Sequence, residues 1–198
     1  MLLYLPAIGT TQQLTEISLA LHIVLLAILG LALTGCQSDK IEGPLYMLDF
    51  YLEASPNLPE RYINQASLPL SELEVTINSR PIFNHFSVDR VELVEVELGL
   101  AMLFQLDQPA TRDLYRYTVD NRGRRILITV NGAPVGARLI DEPIANGILM
   151  AFLEKTDDEM HELAGNLQDT TAKINEHEAR NSYIERKRRK DAESAKGK

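Results

Sequence analysis

The apolar positions of the chain fall into three regimes. Residues Ile17 to Leu33 are almost continuously apolar, interrupted by the polar Ser18 and His22. As a helix this stretch measures about 25 Å, a little less than the roughly 30 Å hydrocarbon core of a bilayer. It is long for the apolar core of an export signal and short for a permanent span. From Tyr46 to Ile174 the periods of strands and amphipathic helices alternate. Beyond residue 174 the apolar stripe fades and charge takes over.

The middle regime predicts most of the elements. Tyr46–Glu53 alternates as a strand and is closed by Ser55-Pro56. Residues 57–72, broken by Pro59 and Pro69, predict an irregular segment. Glu74–Asn78 predicts a short strand that Pro81 ends. Val91–Leu98 alternates like a half-buried strand, with a slip in phase where Leu93 and Val94 adjoin. A bulge there would restore one buried face. Met102, Leu103, Phe104 and Leu106 are apolar on both faces, which suits a central strand. Asp107-Gln108-Pro109 opens a helix, a capping carboxylate followed by proline in the first turn. Ala110, Leu114 and Tyr117 form its inner face, Asp113, Arg116 and Asp120 an outer one, and Gly123 closes it.

Asn131-Gly132 lies between the β-rich runs Arg125–Val130 and Ala133–Ile140. That pair predicts a type I′ hairpin, because both central residues need positive φ. Pro134 has no N–H to give a ladder, so the returning strand belongs at an edge or leaves its amide side open there. Asn146-Gly147 turns the chain into a further strand, Ile148–Leu153. Thr156-Asp157-Asp158-Glu159 is a capping box, and the helix after it carries Met160, Leu163, Ala164, Leu167, Thr171 and Ile174 on one stripe. The fold class expected is α+β: a small mixed or antiparallel sheet with two packed helices, β-β-α-β-β-β-α over the second half. A leader helix precedes it and a charged tail, helical or frayed into disorder, follows.

The junction of the first two regimes carries chemistry. Leu33-Thr34-Gly35-Cys36 has the form of a bacterial lipobox, in which small residues admit the peptidase and the cysteine sulfur receives the lipid. Resemblance to lipoprotein precursors implies cleavage before Cys36 and acylation of that residue. The chain then divides into a signal peptide (1–35), a tether (36–44), N-terminal strands and an irregular segment (45–90), the α+β domain (91–174) and the tail (175–198). Residues 1–35 contain no lysine or arginine, unlike an ordinary signal peptide. Gln37 follows the cysteine, which under the enterobacterial sorting rule favours the outer membrane. Cys36 is the one cysteine in the sequence, so no internal disulfide or multi-thiolate zinc site can form.

The 198 residues carry a net charge of −8, with 45% apolar and 24% charged residues. That acidity argues against general nucleic-acid binding, which needs a basic surface. The four histidines offer no constellation. His22 lies in the leader. His161-Glu162 begins like a zinc-protease motif, but residue 165 is Gly where the second histidine would stand. His85, between Phe83 and Phe86, suits a turn or a packing role. Asp157 and Asp158 complement a helix dipole, and Glu92, Glu95 and Glu97 form the wet side of a strand. Serine-hydrolase and phosphate-loop motifs are absent. Catalytic residues, metal ligands, cofactors and a small-molecule substrate are therefore not expected. Arg186-Lys187-Arg188-Arg189-Lys190 is either a solvated helix end, balanced by Glu176, Glu178 and Glu185, or a patch for anionic headgroups.

Residues 91–167 resemble the head of the first periplasmic domain of SecD, a subunit of the bacterial protein-export machinery. Three segments carry the resemblance: Leu103–Asp107 with the helix to Thr118; Gly123–Gly136 (G-R-R-I-L-I-T-V-N-G-A-P-V-G); and Ile144-Ala145-Asn146-Gly147 with the strand and Asp157–Leu167 after it. Arg138 stands where the family usually has proline, and Ala151 where it has glycine. The charged membrane helices of SecD have no counterpart after residue 36, so its proton-driven motor does not carry over. The resemblance implies a folded head that contacts unfolded exported chains. The function expected is a lipid-anchored, non-enzymatic protein- or peptide-binding module of the envelope, facing the periplasm and related to export. The alternative is a structural lipoprotein whose tail meets the cell wall or a membrane.

Overall fold

The computed structural model describes residues 41–196, in nine strands and two α-helices with two short 3-10 turns. In chain order the strands are β1 (Leu48–Leu52), β2 (Ile63–Ser67), β3 (Glu74–Asn78), β4 (Phe83–Asn84), β5 (Val88–Val96), β6 (Gly99–Leu106), β7 (Arg125–Val130), β8 (Ala133–Leu139) and β9 (Ile148–Ala151). The helices are α1 (Gln108–Asp120), between β6 and β7, and α2 (Asp157–Lys196), after β9. The class is α+β with antiparallel sheets, as the sequence predicts.

Three sheets result. One is ordered β4-β1-β7-β8, one β5-β6-β9, and β2-β3 is a separate hairpin. The strict alternation of β1 explains its place: Leu48, Phe50 and Leu52 are buried while Asp49 and Tyr51 are half-buried. Those three join Ile126, Ile128 and Val130 of β7, Phe104 and Leu106 of β6, and Leu149 of β9 in the main core. Ala110 and Leu114 of α1 and Met160, Leu163 and Leu167 of α2 close it. Phe50 and Phe104 meet edge to face, ring centroids 5.2 Å apart, so an aromatic contact joins the two larger sheets.

Local signals in the sequence correspond to real caps and turns. Asp107 accepts from the Ala110 N–H at 2.7 Å. Asn131 and Gly132 adopt φ of 50° and 80°, and Met47 N–H donates to the Asn131 side chain at 2.8 Å. Glu159 accepts from the Thr156 N–H at 2.9 Å, the reciprocal half of the capping box.

Other expectations need correction. The segment 57–72 is not wholly irregular: β2 runs through it and pairs with β3 from Ile63↔Asn78 to Ser67↔Glu74. Its polar sequence hid it, because the hairpin buries little of itself. Val75, Ile77 and Leu68 cover Leu127 of β7 in a second, smaller core. The register shift of β5 falls between Val88 and Arg90, not at Leu93–Val94. There the strand is leaving the turn that holds His85, and the extra residue is absorbed before the ladder becomes regular. The charged tail is helical, one of the two forms expected: α2 runs unbroken to Lys196, although its buried positions end at Ile174.

His85 has both the turn and the packing role its surroundings suggest. It sits in a short 3-10 turn (His85–Ser87) and is completely buried. Leu48 N–H donates to its Nδ1 at 3.2 Å. The proton is therefore on Nε2, which lies 2.9 Å from Thr171 Oγ1, and that hydroxyl donates to the Leu167 carbonyl at 2.8 Å. Every polar atom of the ring is satisfied, which is the condition for burying it.

Candidate groove at the edge of β9

The backbones of the sheets β4-β1-β7-β8 and β5-β6-β9 meet at an isolated bridge, Gly136↔Leu153. Glu154 N–H donates to the Val135 carbonyl beside it at 2.7 Å. No room for a side chain exists there: a Cβ on Gly136 would lie 2.8 Å from Leu153 Cδ2 and 2.9 Å from the Phe152 carbonyl oxygen. Away from this bridge β8 and β9 do not pair, and a groove of about 340 Å³ opens between them. Arg138, Pro143, Ile144, Asn146, Ile148 and Met150 are among its lining residues.

Ladder alternation decides what β9 presents to that groove. Leu106 N–H bonds to the Gly147 carbonyl at 2.9 Å, and the register places Leu149 opposite Phe104 and Ala151 opposite Met102. Hydrogen bonds to β6 thus fall on the odd positions 147, 149 and 151. The backbone groups of Ile148 and Met150 point the other way. The Ile148 N–H is taken by the Asn146 side chain at 3.0 Å. The Ile148 carbonyl and both backbone groups of Met150 face a side with no ladder partner.

The wall opposite is preformed. Ile144 N–H donates to the buried Thr118 hydroxyl at 2.9 Å. Glu142 N–H donates to the Asp141 carboxylate at 3.1 Å, and Arg138 pairs with the same carboxylate at 2.9 Å. The Asp141 backbone amide foremost, with the Arg138 guanidinium and the Glu142 N–H, holds that carboxyl below the usual carboxylate range. A second recess of about 220 Å³ continues from Ile148 over Leu103 and Gln105 to Arg90 and Glu92, themselves an ion pair at 3.0 Å. The surface is therefore a strip of half-buried apolar side chains, Leu103, Ile148 and Met150, with an ion pair at each end. It offers backbone hydrogen bonds and apolar contact.

The residues singled out in the sequence lie elsewhere. Cys36, the leader and His22 fall outside the described residues. On α2, His161 is exposed and His177 half-buried. Asp157 and Asp158 occupy its first turn. Of the three glutamates of the expected wet face, Glu92 borders the second recess, and Glu95 and Glu97 are exposed. Among the described residues no group of three His, Cys, Asp or Glu side chains could hold a metal ion. No described helix is long and apolar enough to cross a membrane. Arg186–Lys190 lie on the exposed part of α2. Sequence reasoning missed the groove. Its one signal is Ile148-Leu149-Met150-Ala151, apolar on both faces of a strand too short to be central.

No protein-family model matches the chain, and no curated protein matches it. Solved structures of SecDF resemble it. SecDF in its super-membrane-facing form gives a TM-score of 0.46 at 14% identity, over 62% of this chain and 18% of that one. A SecDF structure described as a membrane component that enhances protein export gives 0.48 at 13% identity, over 83% and 71%. The chain thus spans less than a fifth of the first, and no function is drawn from either likeness.

Proposed function

We propose that the protein is a bacterial envelope lipoprotein, anchored through Cys36, whose domain binds extended polypeptide segments without doing chemistry on them. One observation carries the binding reading: the unpaired backbone edge of β9, flanked by Ile148 and Met150 and facing a preformed groove. An extended segment laid there would gain ladder hydrogen bonds, and its alternate side chains would reach the apolar strip. The lipobox sequence supports the anchor. The resemblance of residues 91–167 to the SecD head supports an exported chain as the ligand.

The test uses a labelled, unfolded exported precursor and fluorescence anisotropy. Met150→Pro removes an outward N–H while sparing the bonds to β6. It should keep the wild-type circular dichroism spectrum and weaken binding about tenfold, whereas Met150→Ala should weaken it less. Ile148→Lys, a second variant, should also bind poorly. Wild-type affinity in the folded Met150→Pro and Ile148→Lys proteins would defeat the reading. A second reading, a structural lipoprotein that meets its partner through the tail, is favoured by the exposed helix beyond Ile174.

A further inference from the structure

The far half of α2 packs against nothing in the domain. Met160, Leu163, Ala164, Leu167, Thr170, Thr171 and Ile174 are buried, and every position from 178 to 194 is exposed. Five consecutive cations, Arg186 to Lys190, stand on that half. They are a quarter of the chain's 20 lysines and arginines, in a protein of net charge −8. Among the described residues Lys187, Arg188, Arg189 and Lys190 make no ion pair, although Glu185 and Asp191 adjoin the run. Tyr183, Arg186, Lys187 and Lys190 line one recess on a single face of the helix. At 3.6 residues per turn these positions fall within one narrow sector. An aromatic ring with a polar tip beside three unneutralised cations is the chemistry that suits the headgroup layer of an anionic bilayer.

The geometry points to a bilayer docked on this face, and we infer that α2 lies on the anionic membrane surface through Tyr183, Arg186, Lys187 and Lys190. The inference takes its orientation from the lipid-anchor reading. The described chain begins beside the place where α2 leaves the domain. Tyr46 N–H donates to Thr170 Oγ1 at 3.0 Å, and Lys173 Nζ approaches the open side of Gly43. From Lys173 to the basic run is about 20 to 26 Å along the helix axis. The chain from Cys36 to Gly43 can extend to about 25 Å at most. A bilayer that holds an acylated Cys36 is therefore within reach of the basic face. An acyl anchor joined to a polybasic patch is a two-signal attachment, and here the second signal would hold the far half of the helix against the surface.

The experiment uses the full chain with Cys36→Ser, so that acylation contributes nothing, and with Ser194→Cys as the single thiol. A polarity-sensitive fluorophore on that thiol reports contact one turn beyond Lys190. The probe is a vesicle of phosphatidylcholine alone, or of phosphatidylcholine with about 30% phosphatidylglycerol. A blue shift is expected on the anionic vesicles only. Replacing Arg186, Lys187, Arg188, Arg189 and Lys190 together with glutamine, or raising salt to about 0.5 M, should weaken it about tenfold. An equal shift on neutral vesicles, a shift that survives the glutamine replacements, or a stronger response to duplex DNA would overturn the inference. Failure of the anchor reading is seen separately, as residues 1–35 retained on the mature protein in mass spectrometry.

Discussion

The Nε2 proton of His85 points at the hydroxyl of Thr171, 2.9 Å away and 86 positions along the chain. This contact ties α2 to the first strand, because the other ring nitrogen accepts the Leu48 N–H. The Leu48 bond requires a neutral ring. Protonating Nδ1 would set two donors against each other, leaving the Tyr46 carbonyl as the group that favours the cation.

Stability should therefore depend on this imidazole. Burial foremost, opposed in part by the Tyr46 carbonyl, lowers its pKa from 6.5 to about 4. Between these two values the unfolded chain binds a proton that the folded one refuses, so stability rises with pH across that window. The contribution is whole above about pH 6.5 and is lost as pH falls toward 4, about 3 kcal/mol in all. Urea unfolding at pH 7.5 and 4.5 measures the difference. In His85→Leu the baseline should drop and this share of the pH dependence should vanish. An unchanged difference in that variant would exclude His85 as its source.

Gly136→Ala tests the crossing of the two sheets. The new methyl group would meet the Phe152 carbonyl, which is backbone and cannot swing aside, as well as Leu153. A loss of about 2 kcal/mol is expected, measured as the shift in urea midpoint. Gly165→Ala, on α2 with open space around it, is the control and should be neutral or slightly stabilising.

Glu154 holds the tip of the β2-β3 hairpin. Its carboxylate accepts from Leu70 N–H at 2.7 Å, from Ser71 N–H at 3.1 Å and from the Ser71 hydroxyl. Burial pushes its pKa up, but these three donors outweigh it and leave the group below the usual range. Their help is present above the unfolded pKa and is lost as pH falls through the lowered folded value. Glu154→Ala should cost about 1 kcal/mol and raise amide exchange at Leu70, Ser71 and Leu73. Exchange unchanged at these sites would mean that the tip is held by its own turn.

Legibility in the sequence followed the range of the interactions. Asn131-Gly132, the Asp107 cap and the Thr156–Glu159 box are decided within a few residues, and so is the stripe from Met160 to Ile174. Each of these was expected and is present. β2 was not, because Ile63-Asn64-Gln65-Ala66-Ser67 lacks an apolar face of its own and gains order from β3. Its turn takes an anchor, Glu154, from more than eighty positions away. The same limit hid the groove. It is made by the failure of β8 and β9 to pair beyond Gly136, a property of two strands in space that no local pattern encodes. The burial of His85 likewise depends on a distant helix.

The length of α2 has a mechanical consequence. Up to Ile174 the domain holds the helix in place; past it, about 33 Å of rod must sustain itself by its own hydrogen bonds and by charge pairs such as Glu176–Arg180. Such a free-standing segment unravels from its tip at little cost. A protease should be able to nibble it back to the domain surface without loosening the core. For the same reason cargo fused at the C-terminus would ride on a lever rather than on the body.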